Sequence, residues 1–512
     1  MKKQIIIIDY GSQYTLLIAR TILELGYNCH VVSYDEASQF LTGNHLPKFV
    51  ILSGGDKSVY APGAPTLPED LELTGKPYHV LGVCYGMQLL AHNFGGKVER
   101  DSNKSGYGPE TIYSISDQNP YPESTAWMSH GDSVTVMPNG FYNHIITLDG
   151  TIAGITNESK TITGVQFHPE VSQTVYGKEF LKQLIVNAGC IPDWNPEEII
   201  QQKRDEISKK YDISKKVLLG LSGGVDSSVT AALLAPLFGE NLHAIIIDHG
   251  GLRQGERDEA IAIATELGVS FEVVDLADEF IAKISAIDRT NSQDYAEDMR
   301  KVFGKDLYKK IFEQKSIEIG ASYIAQGTNA ADLTESGKKG NSALIKSHHN
   351  VNLQFSLPEI LPIDDLYKYQ IRQIGKDLGL PEEIYNREPF PGPGLYLRIA
   401  DAQVTRERLE LVRQADHIVR SILRAHGLVE HISQLVIALL GCRVVGVRGD
   451  ERAYDMPISI RAVVTTDFMT VEPFFFEKNV IQEITSKLTK IPGVSRVMFD
   501  YTPKPPGTTE YQ

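Results

Sequence analysis

The chain has 512 residues, of which 42% are hydrophobic and 22% are charged, and its formal net charge is −15. The length favours two to four domains with packed cores, and the negative charge argues against nucleic acid or an anionic membrane as the main partner. The four cysteines are too scattered for a disulfide framework or a CxxC zinc site, which favours a reducing, cytoplasmic setting.

The first part of the chain predicts an α/β domain. Its initial apolar run is broken at Asp9 after four isoleucines, too early for the core of a signal peptide. No later stretch reaches the roughly twenty apolar residues that cross a bilayer. Short apolar runs alternate with helix-like sequence up to about Gly189, as expected for strands of a covered sheet. A connector with two prolines follows, so we place this domain at residues 1–191.

A second series of apolar runs begins with VLLGLSGG and continues through LHAIIID, SFEVVD and SYIAQG. Helical sequence separates these runs, which predicts another mostly parallel sheet at residues 192–394. Beyond the proline-rich PFPGPG, two helical stretches and two strand-like stretches predict a small α+β domain at residues 395–512. The predicted architecture is therefore α/β, with two consecutive parallel-sheet domains followed by a small α+β domain.

One cysteine has the sequence context of a nucleophile. Cys84 ends an apolar run between Gly82 and Gly86, directly before a helical stretch. Flanking glycines let a strand turn sharply into a helix, whose N-terminus favours a thiolate. His168 and Glu170 lie two residues apart near a predicted strand end and so project the same way. Covalent amide hydrolysis needs such a thiol, base and orienting carboxylate; the alternative, a buried packing cysteine, is disfavoured because both motifs are present.

These motifs carry a family resemblance. The segments IDYGSQY, ILSGG, GVCYGMQ and FHPE resemble the class I glutamine amidotransferase domain. The resemblance implies that Cys84 attacks the side-chain amide of glutamine and releases ammonia, with His168 as the base and Glu170 orienting it. It also implies an oxyanion hole formed by the backbones of Gly55 and Tyr85.

A glycine- and serine-rich segment predicts a phosphate site between a strand and a helix. Glycines allow close backbone approach, and hydroxyls with the first N–H groups of a helix form an anion cradle. The segment lacks the lysine of the GxxxxGKS/T loop, and a plain strand–helix turn is the alternative. SGGVDSS resembles the signature of the N-type ATP pyrophosphatases, which implies transfer of AMP to an acceptor oxygen and Mg²⁺ at the leaving pyrophosphate. The predicted ATP-binding residues are Ser222, Gly223, Gly224, Val225, Asp226, Ser227 and Ser228; the sequence does not identify the magnesium ligands.

A resemblance that extends over nearly the whole chain suggests which molecule accepts the AMP group. The runs AQGTNAADLTES, IKSHHN, PFPGPGL, RAVVTTDFMT and KPPGTTE resemble segments of the GMP synthetase family in the same order. The resemblance implies an ATP-dependent ligase that aminates XMP with ammonia from glutamine, uses Mg²⁺ and forms a homodimer through its C-terminal domain. It further implies lid residues Asp332, Glu335, Lys346, His348 and His349, and XMP contacts at Arg443, Arg461, Lys504 and Glu510.

The chain also departs from the family pattern. The departures are Asp56 after the SGG, His249 after a strand-end aspartate, Asn329–Ala330 after QGT, and the tail GTTEYQ. They adjoin the expected substrate pockets, so two alternatives stay open: a divergent paralogue that activates a related purine nucleotide, and a non-catalytic nucleotide-binding protein. Retention of both chemical motifs argues against the second.

Overall fold

The computed structural model describes residues 4–12, 14–42, 46–71, 73, 75, 78–100, 106–115, 122–287, 294–330, 332, 355–448, 450–465, 471–504 and 506–511. Contacts divide the chain into two compact units, Met1–Asn195 and Pro196–Gln512. The second unit contains both the predicted second parallel sheet and the predicted small α+β domain. The division into three domains remains a prediction.

The first unit is built on a mixed sheet of nine strands in the order β2-β1-β3-β4-β11-β10-β9-β6-β7, beside a two-stranded β5-β8 sheet. Its strands are β1 (Ile5–Asp9), β2 (Cys29–Ser33), β3 (Phe49–Leu52), β4 (His79–Val83), β5 (Lys97–Arg100), β6 (Gly106–Ser114), β7 (Ser124–His130), β8 (Asp132–Val136), β9 (Phe141–Thr147), β10 (Ile152–Asn157) and β11 (Ile162–Val165). Its helices are α1 (Thr15–Glu24), α2 (Ser38–Leu41), α3 (Tyr85–Asn93) and α4 (Gly177–Asn187).

The nine-stranded sheet has two halves of different character. Strands β2, β1, β3, β4 and β11 are parallel, and all of them except the part-buried β2 are apolar runs that the sequence predicted. Strands β10, β9, β6 and β7 continue the sheet antiparallel. The prediction of a parallel sheet was therefore incomplete here, because no helix lies between the strands in the described residues 106–115 and 122–157, and short connections favour antiparallel pairing.

The second unit begins with α5 (Pro196–Lys210) and contains a parallel five-stranded sheet in the order β14-β13-β12-β15-β16. Its strands are β12 (Val217–Gly220), β13 (Leu242–Asp248), β14 (Ser270–Asp275), β15 (Tyr323–Ala325) and β16 (Glu359–Ile360). The accompanying helices are α6 (Val225–Phe238), α7 (Glu256–Glu266), α8 (Ala277–Ser285), α9 (Tyr295–Lys301), α10 (Lys309–Ile319), α11 (Lys368–Asp377) and α12 (Glu382–Tyr385), with a π-helical turn at Val302–Tyr308.

The C-terminal part of the second unit packs two helices on a mixed sheet of five strands, beside a separate two-stranded sheet formed by the fourth-last and fifth-last strands of the chain. Its strands are β17 (Ile399–Ala400), β18 (Gln434–Leu440), β19 (Val444–Arg448), β20 (Glu451–Asp455), β21 (Ile458–Val464), β22 (Glu472–Pro473) and β23 (Val497–Phe499), and its helices are α13 (Arg406–Ala425) and α14 (Lys478–Leu488). Thr405 caps α13 by accepting the Arg408 N–H, and buried residues from Leu409 to Leu423 form the apolar face of that helix. The arrangement confirms the predicted α/β class with a smaller α+β part.

Throughout the described ranges, no helix combines enough length with enough apolar character to span a membrane.

Candidate active sites

The first candidate site is a sharp turn that carries Cys84 from β4 into α3. Cys84 has φ 51° and ψ −104°, and its N–H donates to Val165 O at 2.7 Å. An added Cβ on Gly82 would lie 2.5 Å from the backbone of Gly86, and one on Gly86 would lie 2.4 Å from Leu52 O. Only glycine fits at either position, so the chain can turn tightly and hold the thiol at the start of the helix.

The neighbouring strand β11 leads directly to the second part of this site. His168 and Glu170 are 2% and 8% exposed, and the Nδ1 of His168 lies 2.7 Å from Glu170 Oε1. The His168 N–H donates to Trp127 O, and its carbonyl accepts from the Thr174 hydroxyl. These bonds fix the backbone that carries the imidazole, so the ring has a defined position.

The electrostatics of this histidine favour its charged form. Burial alone would lower the pKa of His168, but the Glu170 carboxylate and a hydrogen bond with Cys84 outweigh it and raise the pKa to about 10. At neutral pH the imidazole is therefore protonated beside the Cys84 sulfur. The fold thus brings together the three residues that the sequence proposed for covalent amide hydrolysis.

The predicted oxyanion-hole residues lie at the same turn. Gly55 follows β3, and an added Cβ there would lie 3.1 Å from both Tyr10 O and the Tyr85 ring. Tyr85 is the first residue of α3, so its N–H has no carbonyl partner within the helix. Its hydroxyl donates to Pro65 O at 2.6 Å, which fixes the side chain. The side chain of Asp56, one of the departures from the family pattern, is exposed to solvent.

The second candidate site is the SGGVDSS segment between β12 and α6. The hydroxyls of Ser222 and Ser227 lie 3.0 Å apart, and both Ser227 Oγ and Ser228 Oγ donate to Gly224 O. Gly223 has φ +76°, a conformation that residues with a Cβ rarely adopt. Serine hydroxyls thus hold a compact loop around the N-terminus of α6, where N–H groups and the helix dipole favour an anion.

Two basic side chains that sequence reasoning missed contact this loop. Lys368 Nζ donates to Asp226 Oδ2 at 2.6 Å, and Arg387 Nη1 donates to Gly223 O at 2.9 Å. An added Cβ on Gly327 would lie 2.7 Å from the Asp226 backbone, so the QGT segment packs directly on the loop. Asp226 Oδ1 is buried, and within the described chain it has no hydrogen-bond partner. The loop therefore combines helix N–H groups, two nearby cations and one unsatisfied carboxylate oxygen.

The predicted lid residues are mostly outside the described residues. Glu335, Lys346, His348 and His349 cannot be placed for that reason. Asp332 accepts a hydrogen bond from Asn329 N, and its own N–H donates to Asn329 Oδ1. The asparagine that departs from the family pattern therefore holds the aspartate in a local turn.

Three of the four residues predicted to bind XMP lie on or against the C-terminal tail. Arg461 is 1% exposed, donates to Thr502 O, and lies 3.3 Å from Asp500.

Glu510 lies 2.9 Å from Arg398 and accepts from Gln434, two residues that the sequence did not single out. Lys504 forms a backbone bridge with Val471. Arg443 is exposed. Arg461 is thus a buried support of the tail, whereas Arg443 faces solvent.

His249 occupies an aromatic setting in the second unit. Its Nδ1 accepts the Gly251 N–H at 3.2 Å, and its ring lies 4.8 Å from that of Phe303 and 5.7 Å from that of Phe280. Tyr396 donates its hydroxyl to the His249 carbonyl. The departure at this position is therefore accommodated by a packed aromatic environment at the end of β13.

Comparison with protein families matches three consecutive parts of the chain. Residues 6–188 match the model "Glutamine amidotransferase class-I", residues 197–302 match "NAD synthase", and residues 421–511 match "GMP synthase C terminal domain". Together with the two candidate sites, these matches define the class of the chain as a carbon–nitrogen ligase with glutamine as amide donor.

Comparison with curated proteins identifies the family within that class. The chain is 40% identical to a glutamine-hydrolyzing GMP synthase of Thermobifida fusca, covering 99% of this chain and 98% of the relative. It is 39% identical to that of Bacillus cereus and 38% identical to that of Aquifex aeolicus, each over 100% of both chains. The chain belongs to the glutamine-hydrolyzing GMP synthase family.

Proposed function

We propose that this chain converts XMP to GMP in two half-reactions: glutamine is hydrolysed at Cys84, and ATP adenylates XMP so that ammonia can displace AMP. The observation that supports this function most is the full-length match to GMP synthases in a chain that retains both chemical groups. The Cys84–His168–Glu170 arrangement in the first unit and the serine-rich loop in the second supply one half-reaction each.

In the first half-reaction, the geometry of the turn supports a role for each residue. The Cys84 thiolate attacks the side-chain amide carbon of glutamine, while the N–H groups of Gly55 and Tyr85 receive the developing oxyanion. The protonated His168 gives its proton to the departing ammonia and then takes one from the water that hydrolyses the thioester. Glu170 keeps the imidazole oriented and charged.

In the second half-reaction, the SGGVDSS loop holds the phosphates of ATP at the N-terminus of α6. Lys368, which contacts Asp226 in this loop, would move to a phosphate oxygen when the nucleotide binds. The residues also fit Mg²⁺, because Asp226 Oδ1, which is buried and has no hydrogen-bond partner among the described residues, can supply one carboxylate ligand beside the phosphates. When bound, Mg²⁺ would neutralise charge on the leaving pyrophosphate.

Two substitutions test the division of labour. With ATP, Mg²⁺ and XMP, Cys84→Ala should lose GMP synthesis from glutamine but keep synthesis from ammonium, because only the nitrogen source is lost. Asp226→Ala should lose synthesis from both sources, as should chelation of Mg²⁺ with EDTA. The measurement is GMP and pyrophosphate formed in equal amounts. If Cys84→Ala lost both activities equally, the proposed separation of the two half-reactions would be wrong.

The same assay tests whether a purine nucleotide other than XMP is the substrate that ATP adenylates. We propose XMP, and a panel of purine nucleotides screened for pyrophosphate release would reveal a related nucleotide that reacts faster. The negative net charge supports small-molecule substrates rather than nucleic acid or a membrane as partners, and four free cysteines support a cytoplasmic location.

We also propose a homodimer formed through the C-terminal part of the second unit. The β19–β20 hairpin exposes Val445, Val447 and Tyr454 by 47%, 75% and 57%, and a contiguous apolar face of this kind favours a protein partner. Val447→Asp should convert a sedimenting dimer to a monomer, whereas Ile317→Asp, at an 81% exposed site on α10, should not. A monomeric unmodified chain would overturn this proposal.

A further inference from the structure

Gln166 lies against the sulfur of Cys84 inside the first unit. It follows β11 directly, two residues before His168, and is 0% exposed. Its backbone N–H donates to Ala153 O, which anchors it to β10. Its side-chain Nε2 lies 3.6 Å from Cys84 Sγ and donates a hydrogen bond to it. Because the side chain is shielded from solvent, this contact is made without competition from water.

The orientation of the Gln166 amide is fixed by a neighbouring glutamine. Gln88 lies in α3, one helical turn after Cys84, and its Nε2 donates to Asp132 O at 2.8 Å. A backbone carbonyl can only accept, so the nitrogen of Gln88 must face that way. The same nitrogen lies 3.4 Å from Gln166 Oε1, which can also only accept. The oxygen of Gln166 is therefore turned toward Gln88, and its NH₂ group toward the sulfur.

Besides His168, two groups contact the Cys84 sulfur, and they favour different protonation states. Ser129 O lies 3.7 Å from Cys84 Sγ and accepts from the neutral thiol. The Gln166 N–H donates, which suits the thiolate, and hydrogen bonds to a charged partner are stronger than neutral ones. Gln166 therefore shifts the balance toward the anion and holds the sulfur in one position beside His168.

We propose that Gln166 is a positioning residue that holds the Cys84 sulfur as a thiolate, with Gln88 fixing the direction of its amide. This inference deepens the proposed function of the first unit and rests on it. It assigns a role to a side chain that neither transfers a proton nor forms a bond to the substrate. The role depends on a donor at the Nε2 position, so it can be removed without changing the size of the side chain.

Gln166→Glu is the sharpest test, because it keeps the shape of the side chain and replaces the donor with a negatively charged acceptor. The rate of Cys84 alkylation by iodoacetamide would be measured against pH, with the modified peptide identified by mass spectrometry so that the other cysteines do not contribute. We expect the midpoint of this profile to move up by about one to two pH units, and kcat/KM for glutamine hydrolysis at pH 7 to fall about 10- to 100-fold. Synthesis from ammonium should be unchanged.

Two further variants separate this role from a structural one. Gln166→Met removes the donor without adding charge and should move the midpoint in the same direction by less. Thr156→Val is the matched control, because Thr156 is a buried polar residue of β10 whose hydroxyl bonds to Ile162 O and not to the sulfur; its midpoint should stay in place. Thermal unfolding of each variant would show that the fold is kept.

The results distinguish failure of the role proposed for Gln166 from failure of the function proposed for the first unit. If both Gln166 variants keep the midpoint of the unmodified chain, even with reduced hydrolysis, Gln166 has only a structural role and the proposal is overturned. If the unmodified chain does not hydrolyse glutamine, the proposed function of the first unit fails instead. A shifted midpoint in both variants, with the control unmoved, supports the thiolate-holding role.

Discussion

The backbone of Cys84 adopts a conformation that residues with a side chain rarely adopt. Only Cys84, Lys160 and Asp401 among the described non-glycine residues have a positive φ, and such conformations cost about 1–3 kcal/mol each. The cost at Cys84 is offset by the surrounding structure, since its N–H bonds to Val165 O and glycines on either side permit the turn. In return the sulfur is raised from the end of β4 toward His168.

The strain predicts that a glycine at this position stabilises the fold. Cys84→Gly should unfold at higher urea than Cys84→Ala, by about 1 kcal/mol in free energy of unfolding, because glycine tolerates φ 51°. Neither variant should hydrolyse glutamine. Lys160→Gly is a control at φ 55°, in the turn between β10 and β11, and should stabilise the chain while keeping hydrolysis. If Cys84→Gly is no more stable than Cys84→Ala, the turn is not strained.

At the scale of the element, glycines allow the close contacts that assemble each site. Gly86 lets α3 approach the end of β3 at Leu52, and Gly327, which follows β15, lets the next segment approach the loop at Asp226. In both cases the close approach is between backbones, so no larger residue could keep it. The turn at Cys84 and the SGGVDSS loop thus both lie at the carboxyl ends of parallel strands. Close packing of the neighbouring strands and helices holds each of them in place.

The elements that the sequence could predict are those with a local signal. Strands β1, β4 and β13 are continuous apolar runs because both faces of a parallel sheet are covered. The antiparallel strands of the first unit were not resolved in advance, since a strand such as β7 (STAWMSH) alternates between buried and part-buried positions and resembles loop sequence. The strand–turn–helix at Cys84 and the SGGVDSS loop were found because their glycines, thiol and hydroxyls are adjacent in sequence.

The site residues that sequence reasoning missed have no such local signal. Lys368 reaches Asp226 over 142 positions, and Arg398 reaches Glu510 over 112. A basic residue is most often solvated, so only tertiary packing identifies these two. Gln166 is a similar case: it precedes the FHPE motif, but its function follows from a contact with Cys84 and from the direction set by Gln88.

For the whole molecule, the two units carry buried groups that respond to different pH ranges. Burial lowers the pKa of His130 and of His144 in the first unit to about 4 each. In the second unit, burial alone would raise the pKa values of Glu388 and Asp416, but Arg420 and Arg253 outweigh it and lower both. His243 in the second unit also has a pKa lowered by burial, but it is only part-buried.

The directions of these pKa shifts predict that the two units lose stability over different ranges of acidic pH. A histidine whose folded pKa lies below 6.5 binds protons more readily when unfolded, so stability falls as pH drops from 6.5 to about 4, by about 3 kcal/mol for each group. His168 has a raised pKa, and its contribution is complete below pH 6.5. Glu388 and Asp416 contribute stability that is lost only below their ordinary values of 4.5 and 3.8. Between pH 6.5 and 4.5 the first unit should therefore weaken before the second.

Tryptophan fluorescence can follow the first unit alone, because the two tryptophans of the chain, Trp127 and Trp194, both lie in it. On acidification we expect the fluorescence change and the loss of glutamine hydrolysis to occur at higher pH than the loss of ammonium-dependent synthesis. His144→Leu removes a buried imidazole whose two nitrogens have no hydrogen-bond partner in the described chain, so it should move the fluorescence transition to lower pH. The same substitution at His92, which is exposed, should leave the transition unchanged. Simultaneous loss of both activities, or an unmoved transition in His144→Leu, would show that buried histidines do not set the acid stability of the first unit.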